Sequence, residues 1–132
     1  MGLIYLDSCV VIYLAERDPV FGERVHQAIA TRTGAQFAMS SLVKLECLVK
    51  PLKSGDVVLQ RYYESLFAQF VLLEMTDEIY LQAAQLRARF GLRTPDALHL
   101  ACAQQHGCME LWTNDARLAN AGHGLAKNLV VN

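Results

Sequence analysis

Apolar residues along the chain fall into short uninterrupted runs, separated by longer stretches in which they recur at helical spacing. Leu3-Ile4-Tyr5-Leu6 is the first run and stops at Asp7, the pattern of a strand covered on both faces. Val10 to Glu16 reads as a short helix, and Asp18-Pro19 supplies a cap and a first-turn proline for a second one reaching Arg32. Gln36 to Met39 predicts a second strand; Ser40-Ser41 are good N-cap residues for a helix through Lys50, ended by Pro51 and Gly55. A helix over Asp56 to Ala68 and a third strand over Phe70 to Glu74 come next. Thr76 caps a helix whose first turn carries Asp77 and Glu78, charges that suit the positive end of the helix dipole, and Gly91 closes it. Thr94-Pro95 opens a helix ended by Gly107, Met109 to Thr113 is a fourth strand leading into Asn114-Asp115, and Leu129 to Val131 is a final one. Short apolar strands alternating with amphipathic helices predict an α/β fold, a three-layer sandwich with a mostly parallel central sheet flanked by helices.

The 132 residues contain no linker, repeat or low-complexity segment, so residues 1–132 are expected to form a single domain. Apolar residues at 53% and charged residues at 19% exclude intrinsic disorder. Lys and Arg number 12 against 13 Asp and Glu, a net charge of -1, so the chain has no bulk cationic attraction for nucleic acid or an anionic membrane. Any phosphate partner must be held by a local site or a metal. No apolar run approaches the roughly 18 residues of a membrane span, and no basic segment precedes Leu3 as in a secretory signal; a cytoplasmic location without membrane partners is expected. Cys9, Cys47, Cys102 and Cys108 are scattered, and the nearest approach to a zinc pattern, Cys102, His106 and Cys108, is better read as packing.

The chemistry lies in the carboxylates. In a parallel α/β sheet, ligands bind beyond the carboxyl ends of the strands. Asp7 ends the first strand, Asp115 lies two residues beyond the fourth, and Asp96 is in the first turn of a helix. Taken singly, Asp96 and Asp115 are ordinary helix-start residues, whereas Asp7 follows four apolar residues in what should be the most buried strand. On a helical wheel, Leu42, Val43, Leu45, Leu48 and Val49 define an apolar stripe, and Glu46 falls within it, either facing the site or paired with an arginine such as Arg93. Asp96, His99, Leu100 and Ala103 share one inward face, on which His99 is expected to be a satisfied core histidine. Four carboxylates facing the interior raise one another's pKa and require a positive counter-charge. Oxygen donors without clustered His or Cys suit a hard cation, Mg²⁺ or Mn²⁺, and such a site leaves room for a phosphodiester. Asp96, beside a helix N-terminus, is expected to stay ionised as a ligand.

Tyr5-Leu6-Asp7-Ser8, Ser40 to Glu46, the run Arg93-Thr94-Pro95-Asp96-Ala97-Leu98-His99-Leu100-Ala101, and Trp112-Thr113-Asn114-Asp115 together resemble the PIN domain family, and within it the VapC-type toxins of bacterial and archaeal toxin-antitoxin pairs. The resemblance covers nearly the whole chain, and the Thr-Pro-Asp-Ala-Leu-His-Leu-Ala run is its most specific part. It implies a metal-dependent endoribonuclease that leaves 5′-phosphate and 3′-hydroxyl ends, with Asp7, Glu46, Asp96 and Asp115 as its catalytic, metal-holding acids. It further implies a cognate VapB-type antitoxin and a homodimer. The family commonly carries Asn two residues after the first Asp, where this chain has Cys9; Ser8, Thr113 and Asn114 remain as polar support.

Arg87, Arg89 and Arg93 are candidates for tracking an RNA backbone, and otherwise form a solvated helix face. Tyr62, Tyr63, Leu66, Phe67 and Phe70 are more readily core than a partner groove. Two neighbouring readings are a housekeeping RNA-processing nuclease of the same fold and a degenerate module that binds RNA or antitoxin without cutting. A phosphatase using an aspartyl nucleophile would want a second Asp where Cys9 stands.

Overall fold

A computed structural model describes residues 2–122 and 124–128. The elements run β1 (Leu3–Leu6), α1 (Ser8–Glu16), α2 (Gly22–Thr31), β2 (Gln36–Ser40), α3 (Ser41–Ser54), α4 (Val57–Phe67), β3 (Val71–Leu73), α5 (Asp77–Phe90), α6 (Thr94–Gln105), β4 (Glu110–Thr113), α7 (Ala116–Ala121) and β5 (Ala126–Asn128). The five strands form one sheet in the order β3-β2-β1-β4-β5, and every pairing is parallel. Tyr5 pairs with Ala38 on one side and Leu111 on the other, which makes β1 the central strand.

This order contains one reversal. From β1 the chain steps outward to β2 and β3, then crosses back to β4 and continues to β5. Right-handed crossovers in opposite directions put their helices on opposite faces. Accordingly α1, α2, α3 and α4 pack among themselves, as do α5, α6 and α7. The expected three-layer α/β sandwich is thus present. Its topological switch point lies between the carboxyl ends of β1 and β4, where α/β sheets of this kind leave a crevice.

Local chemistry accounts for most boundaries. Asp7, Asp56, Thr76 and Asp115 accept hydrogen bonds from N–H groups of the helices that follow them, occupying donors with no intrahelical partner. Gly55 and Gly91 end α3 and α5 at φ +71° and +68°, a left-handed turn that glycine enters without steric cost.

Three boundaries differ from expectation. Pro51 does not end α3, which continues to Ser54 with the buried proline ring against the core. Asp18-Pro19 precedes α2 rather than beginning it: Asp18 Oδ2 accepts from the N–H groups of Val20 and Phe21, and the helix starts at Gly22. The expected strand at Leu129 to Val131 lies outside the described residues, and β5 runs over Ala126–Asn128.

The core joins Ile4, Tyr5 and Leu6 of β1 to Met39, Val43, Leu100, Leu111 and Leu118, all fully buried or nearly so. Burying each such side chain contributes about 1.5–3 kcal/mol. Tyr63, Leu66 and Phe67 belong to this core, with Tyr63 and Phe67 stacked at 5.8 Å, while Tyr62 remains exposed. Cys47, Cys102 and Cys108 are buried free thiols, as the packing reading expects. No described helix is long and apolar enough to cross a membrane.

Candidate metal centre

The switch-point crevice is a cavity of about 200 Å³ lined by Asp7, Ser8, Cys9, Glu46, Arg93, Pro95, Asp96, Asn114 and Asp115. Residues far apart in the chain, supplied by α1, α3, α6 and the ends of β1 and β4, therefore face one space. All four expected acids are among them.

Asp7 occupies the junction where β1 passes directly into α1, and it is 6% exposed. Its Oδ1 accepts from the Ser8 N–H at 2.6 Å and more distantly from the Ser8 hydroxyl at 3.4 Å. Its Oδ2 accepts from the Thr113 hydroxyl at 2.8 Å and from the Cys9 thiol at 3.5 Å. Burial pushes the Cys9 thiol pKa far up and the neighbouring Asp7 charge adds to this, so Cys9 stays a protonated donor in the place where the family commonly has an amide. Thr113 is fully buried and serves both acids, donating to Asp7 and accepting from the Asp115 N–H at 3.0 Å. Asp115 caps α7 through Oδ1, at 2.8 Å from the Arg117 nitrogen and 3.3 Å from that of Leu118. Asn114 lines the cavity and donates to the Tyr13 hydroxyl.

Asp96 is 8% exposed and accepts from Arg93 Nε at 3.1 Å; Arg93 also approaches Asp115 Oδ2 at 3.8 Å. Opposing influences act on the Asp96 carboxyl, which is expected to stay ionised beside the helix N-terminus. Burial raises its pKa, and although Arg93 opposes this, the charges of Asp115 and Asp7 add to the rise. Arg93 is the one of the three expected arginines that reaches the cavity. Arg87 Nε donates to the Leu92 carbonyl at 3.0 Å and Arg89 lies over the Phe90 ring, and neither is among the cavity-lining residues.

Glu46 faces the cavity from α3, but the apolar stripe around it is not one buried face. Val43, Cys47 and Pro51 point to the core, whereas Leu45 is 61% and Val49 54% exposed. Nor is Arg93 the partner of Glu46. Glu46 Oε1 lies 2.6 Å from Nε2 of His99, which is only 1% exposed and also stands 3.5 Å from Asp7 Oδ1. Burial opposes ionisation of both groups; the bond to His99 nonetheless lowers the Glu46 pKa, and the bond to Glu46 with the charges of Asp7 and Asp96 raises that of His99. His99 is thus the satisfied core histidine that the sequence leads one to expect, and it also reaches Glu46 and Asp7, which the sequence reading did not foresee. Its position three residues after Asp96 on an inward helical face was the available signal.

Ligand atoms of Asp7, Glu46 and His99 lie within 4.8 Å of one another. Asp96 and Asp115 line the same cavity without joining that group of three. The four carboxylates on one cavity fit a divalent cation with oxygen ligands.

The PIN domain family profile matches residues 4–124. The chain belongs to the PIN domain family. Over 132 residues this PIN domain is 32% identical to "Ribonuclease VapC46" of Mycobacterium tuberculosis, the match covering 98% of both chains. Among solved structures, a toxin-antitoxin complex from Klebsiella pneumoniae superposes with a TM-score of 0.79 at 23% identity, over 96% of this chain and 97% of that one. VapC20 of Mycobacterium tuberculosis, described as a toxin cleaving the sarcin-ricin loop, superposes with a TM-score of 0.77 at 14% identity, over 90% of this chain and 95% of that one. At these identities the two structures speak for the PIN fold alone.

Proposed function

We propose that the protein is a Mg²⁺- or Mn²⁺-dependent endoribonuclease acting as the toxin of a toxin-antitoxin pair. The observation that carries this reading is the convergence of Asp7, Glu46, Asp96 and Asp115 on one cavity at the topological switch point. Membership of the PIN domain family and the similarity to a ribonuclease of the VapC type support it.

Asp7, Asp96 and Asp115 would hold the metal, with Glu46 completing the cluster. A divalent ion in such a cage polarises a phosphate and lowers the pKa of water near it. The chain itself supplies orientation. Thr113, Ser8 and Cys9 hold Asp7 by both oxygens, and the same Thr113 hydroxyl anchors the backbone of Asp115. Arg93, its side chain 72% exposed and bridging Asp96 and Asp115, is placed to turn toward a phosphate when a cation replaces it at the acids. Products with 5′-phosphate and 3′-hydroxyl ends follow from the family resemblance.

A VapB-type antitoxin and a second copy of the chain are the proposed protein partners, supported by similarity to a solved toxin-antitoxin complex. Leu45, Val49 and Leu52 of α3, at helical spacing, and Val58 and Tyr62 of α4 are exposed apolar side chains that a protein partner would cover.

Cleavage of RNA by the wild-type protein and by Asp7→Asn, Asp96→Asn and Asp115→Asn, with Mn²⁺, with Mg²⁺ and with EDTA, tests the reading. Each variant should lose at least about 100-fold in rate, since loss of even an outer partner that merely orients a metal ligand costs about 10–100-fold. EDTA should abolish cleavage. Cutting that ignores the chelator, or survives undiminished in all three variants, would overturn it.

A further inference from the structure

His99 has a partner at each ring nitrogen although it is buried on every side. Nε2 meets Glu46 Oε1 at 2.6 Å and Nδ1 meets the Tyr5 hydroxyl at 2.7 Å; that hydroxyl meets Ser40 Oγ at 2.8 Å. Tyr5 and Ser40 are both fully buried. The chain of contacts thus runs from the end of β2 through β1 and α6 to α3, bridging the two helical layers over the carboxyl end of the sheet. Ser40 was the expected cap of α3, but it makes no side-chain capping bond; its hydroxyl is engaged with Tyr5.

Hydrogen placement decides what the imidazole can do. An ionised carboxylate only accepts, so the 2.6 Å contact requires a hydrogen on Nε2 directed at Glu46. Two arrangements complete the chain. A neutral ring accepts from Tyr5 at Nδ1 while Ser40 donates to Tyr5, or a charged ring donates to Tyr5, which donates to Ser40. In either one, Nε2 has no lone pair to offer a cation, although it lies within 4.8 Å of carboxylate oxygens of Asp7 and Glu46.

We propose that His99 is a positioning residue for Glu46: oriented by Tyr5 and Ser40, it holds Oε1 through its Nε2 hydrogen and leaves the other carboxylate oxygen to a divalent cation or its water in the cavity. The proposal rests on the metal-site reading given above. It makes the histidine a hydrogen-bond donor that orients a metal-holding carboxylate from 2.6 Å, rather than a ligand itself, an outer partner of the kind that commonly fixes metal ligands.

The test compares the full-length wild-type protein with His99→Gln, His99→Leu and Tyr5→Phe. Mn²⁺ binding is followed by electron paramagnetic resonance without RNA, folding by thermal melting, and the ring nitrogens by long-range ¹H–¹⁵N spectra with and without Mg²⁺. Gln keeps an amide donor where Nε2 stands, whereas Leu removes it. Leu should weaken Mn²⁺ binding about 10–100-fold and Gln should restore it to within about threefold. The Nε2 hydrogen of the wild-type protein should persist when Mg²⁺ is added. Should the Leu variant not fold, Tyr5→Phe carries the comparison, because it keeps the core carbons and frees the ring, and Mn²⁺ binding should weaken severalfold. Wild-type affinity in both Leu and Phe variants, equal weakness of Gln and Leu, loss of the Nε2 hydrogen on Mg²⁺ addition, or a wild-type protein that takes up no Mn²⁺ would each overturn the proposal. RNA cleavage is scored separately: a protein that binds Mn²⁺ as described but leaves RNA uncut refutes the nuclease reading while the assignment of His99 stands.

Discussion

Thr113 shows how much of the site hangs on single atoms. Its hydroxyl donates to Asp7 Oδ2 and accepts from the Asp115 N–H, so one fully buried oxygen aligns acids contributed by two adjacent strands. Thr113→Val keeps the shape and removes both bonds. A buried group left without its partner costs about 1–3 kcal/mol, which should appear as a lower melting temperature. Mn²⁺ affinity should fall about 10–100-fold as Asp7 loses its orientation. Binding unchanged in titration calorimetry would show that Ser8 and Cys9 suffice to hold Asp7. At this scale the sequence was informative wherever a charge stood against the apolar pattern: Asp7 after four apolar residues and Glu46 on a largely apolar helix both face the cavity. The burial of His99 was legible but its carboxylate partner was not, because a histidine on an inward face looks the same whether its ring nitrogens meet the core or an acid.

Between elements, Glu16 ties three helices together. From the end of α1 it accepts from Lys50 of α3 and from the buried Tyr63 hydroxyl of α4, each at 2.5 Å. Burial alone would raise the Glu16 pKa, but these two bonds and the Lys50 charge outweigh it and hold the carboxyl below its ordinary range. A carboxyl depressed in the folded state adds stability above its unfolded pKa of about 4.3, and that stability is lost as pH falls through the folded value. The melting-temperature gap between the wild-type protein and Glu16→Gln should therefore be widest near neutral pH and shrink on acidification below about pH 4.5. A gap independent of pH would mean that the charge contributes nothing. Tyr63→Phe should cost about 2 kcal/mol in denaturant unfolding at neutral pH, since it removes a hydrogen bond to a charged acceptor. Element boundaries were legible where side chains cap helices, as at Thr76 and Asp115. They were less so at Pro51, because a proline late in a helix can stay within it when its ring has core to pack against. The exposure of Leu45 and Val49 has a related origin: helical periodicity marks an apolar stripe without saying what covers it.

For the molecule as a whole, function follows from strand order. An apolar strand ending in Asp predicts a carboxylate at a sheet edge, but only the order β3-β2-β1-β4-β5 makes the ends of β1 and β4 neighbours and opens a crevice between them. Alternating strands and helices made a parallel sheet legible; the adjacency of β1 and β4 joins segments about a hundred residues apart and was not, the family resemblance implying only that Asp7 and Asp115 share a site. The central claim is that this crevice is a cation cage. Anomalous X-ray scattering at the manganese edge, from crystals of the protein soaked in Mn²⁺, tests it most directly. The expected result is a strong peak among the carboxylates of Asp7, Glu46, Asp96 and Asp115, with Arg93 displaced from Asp96; a cavity without manganese in crystals of protein that still cleaves RNA in the same Mn²⁺ concentration would contradict the account.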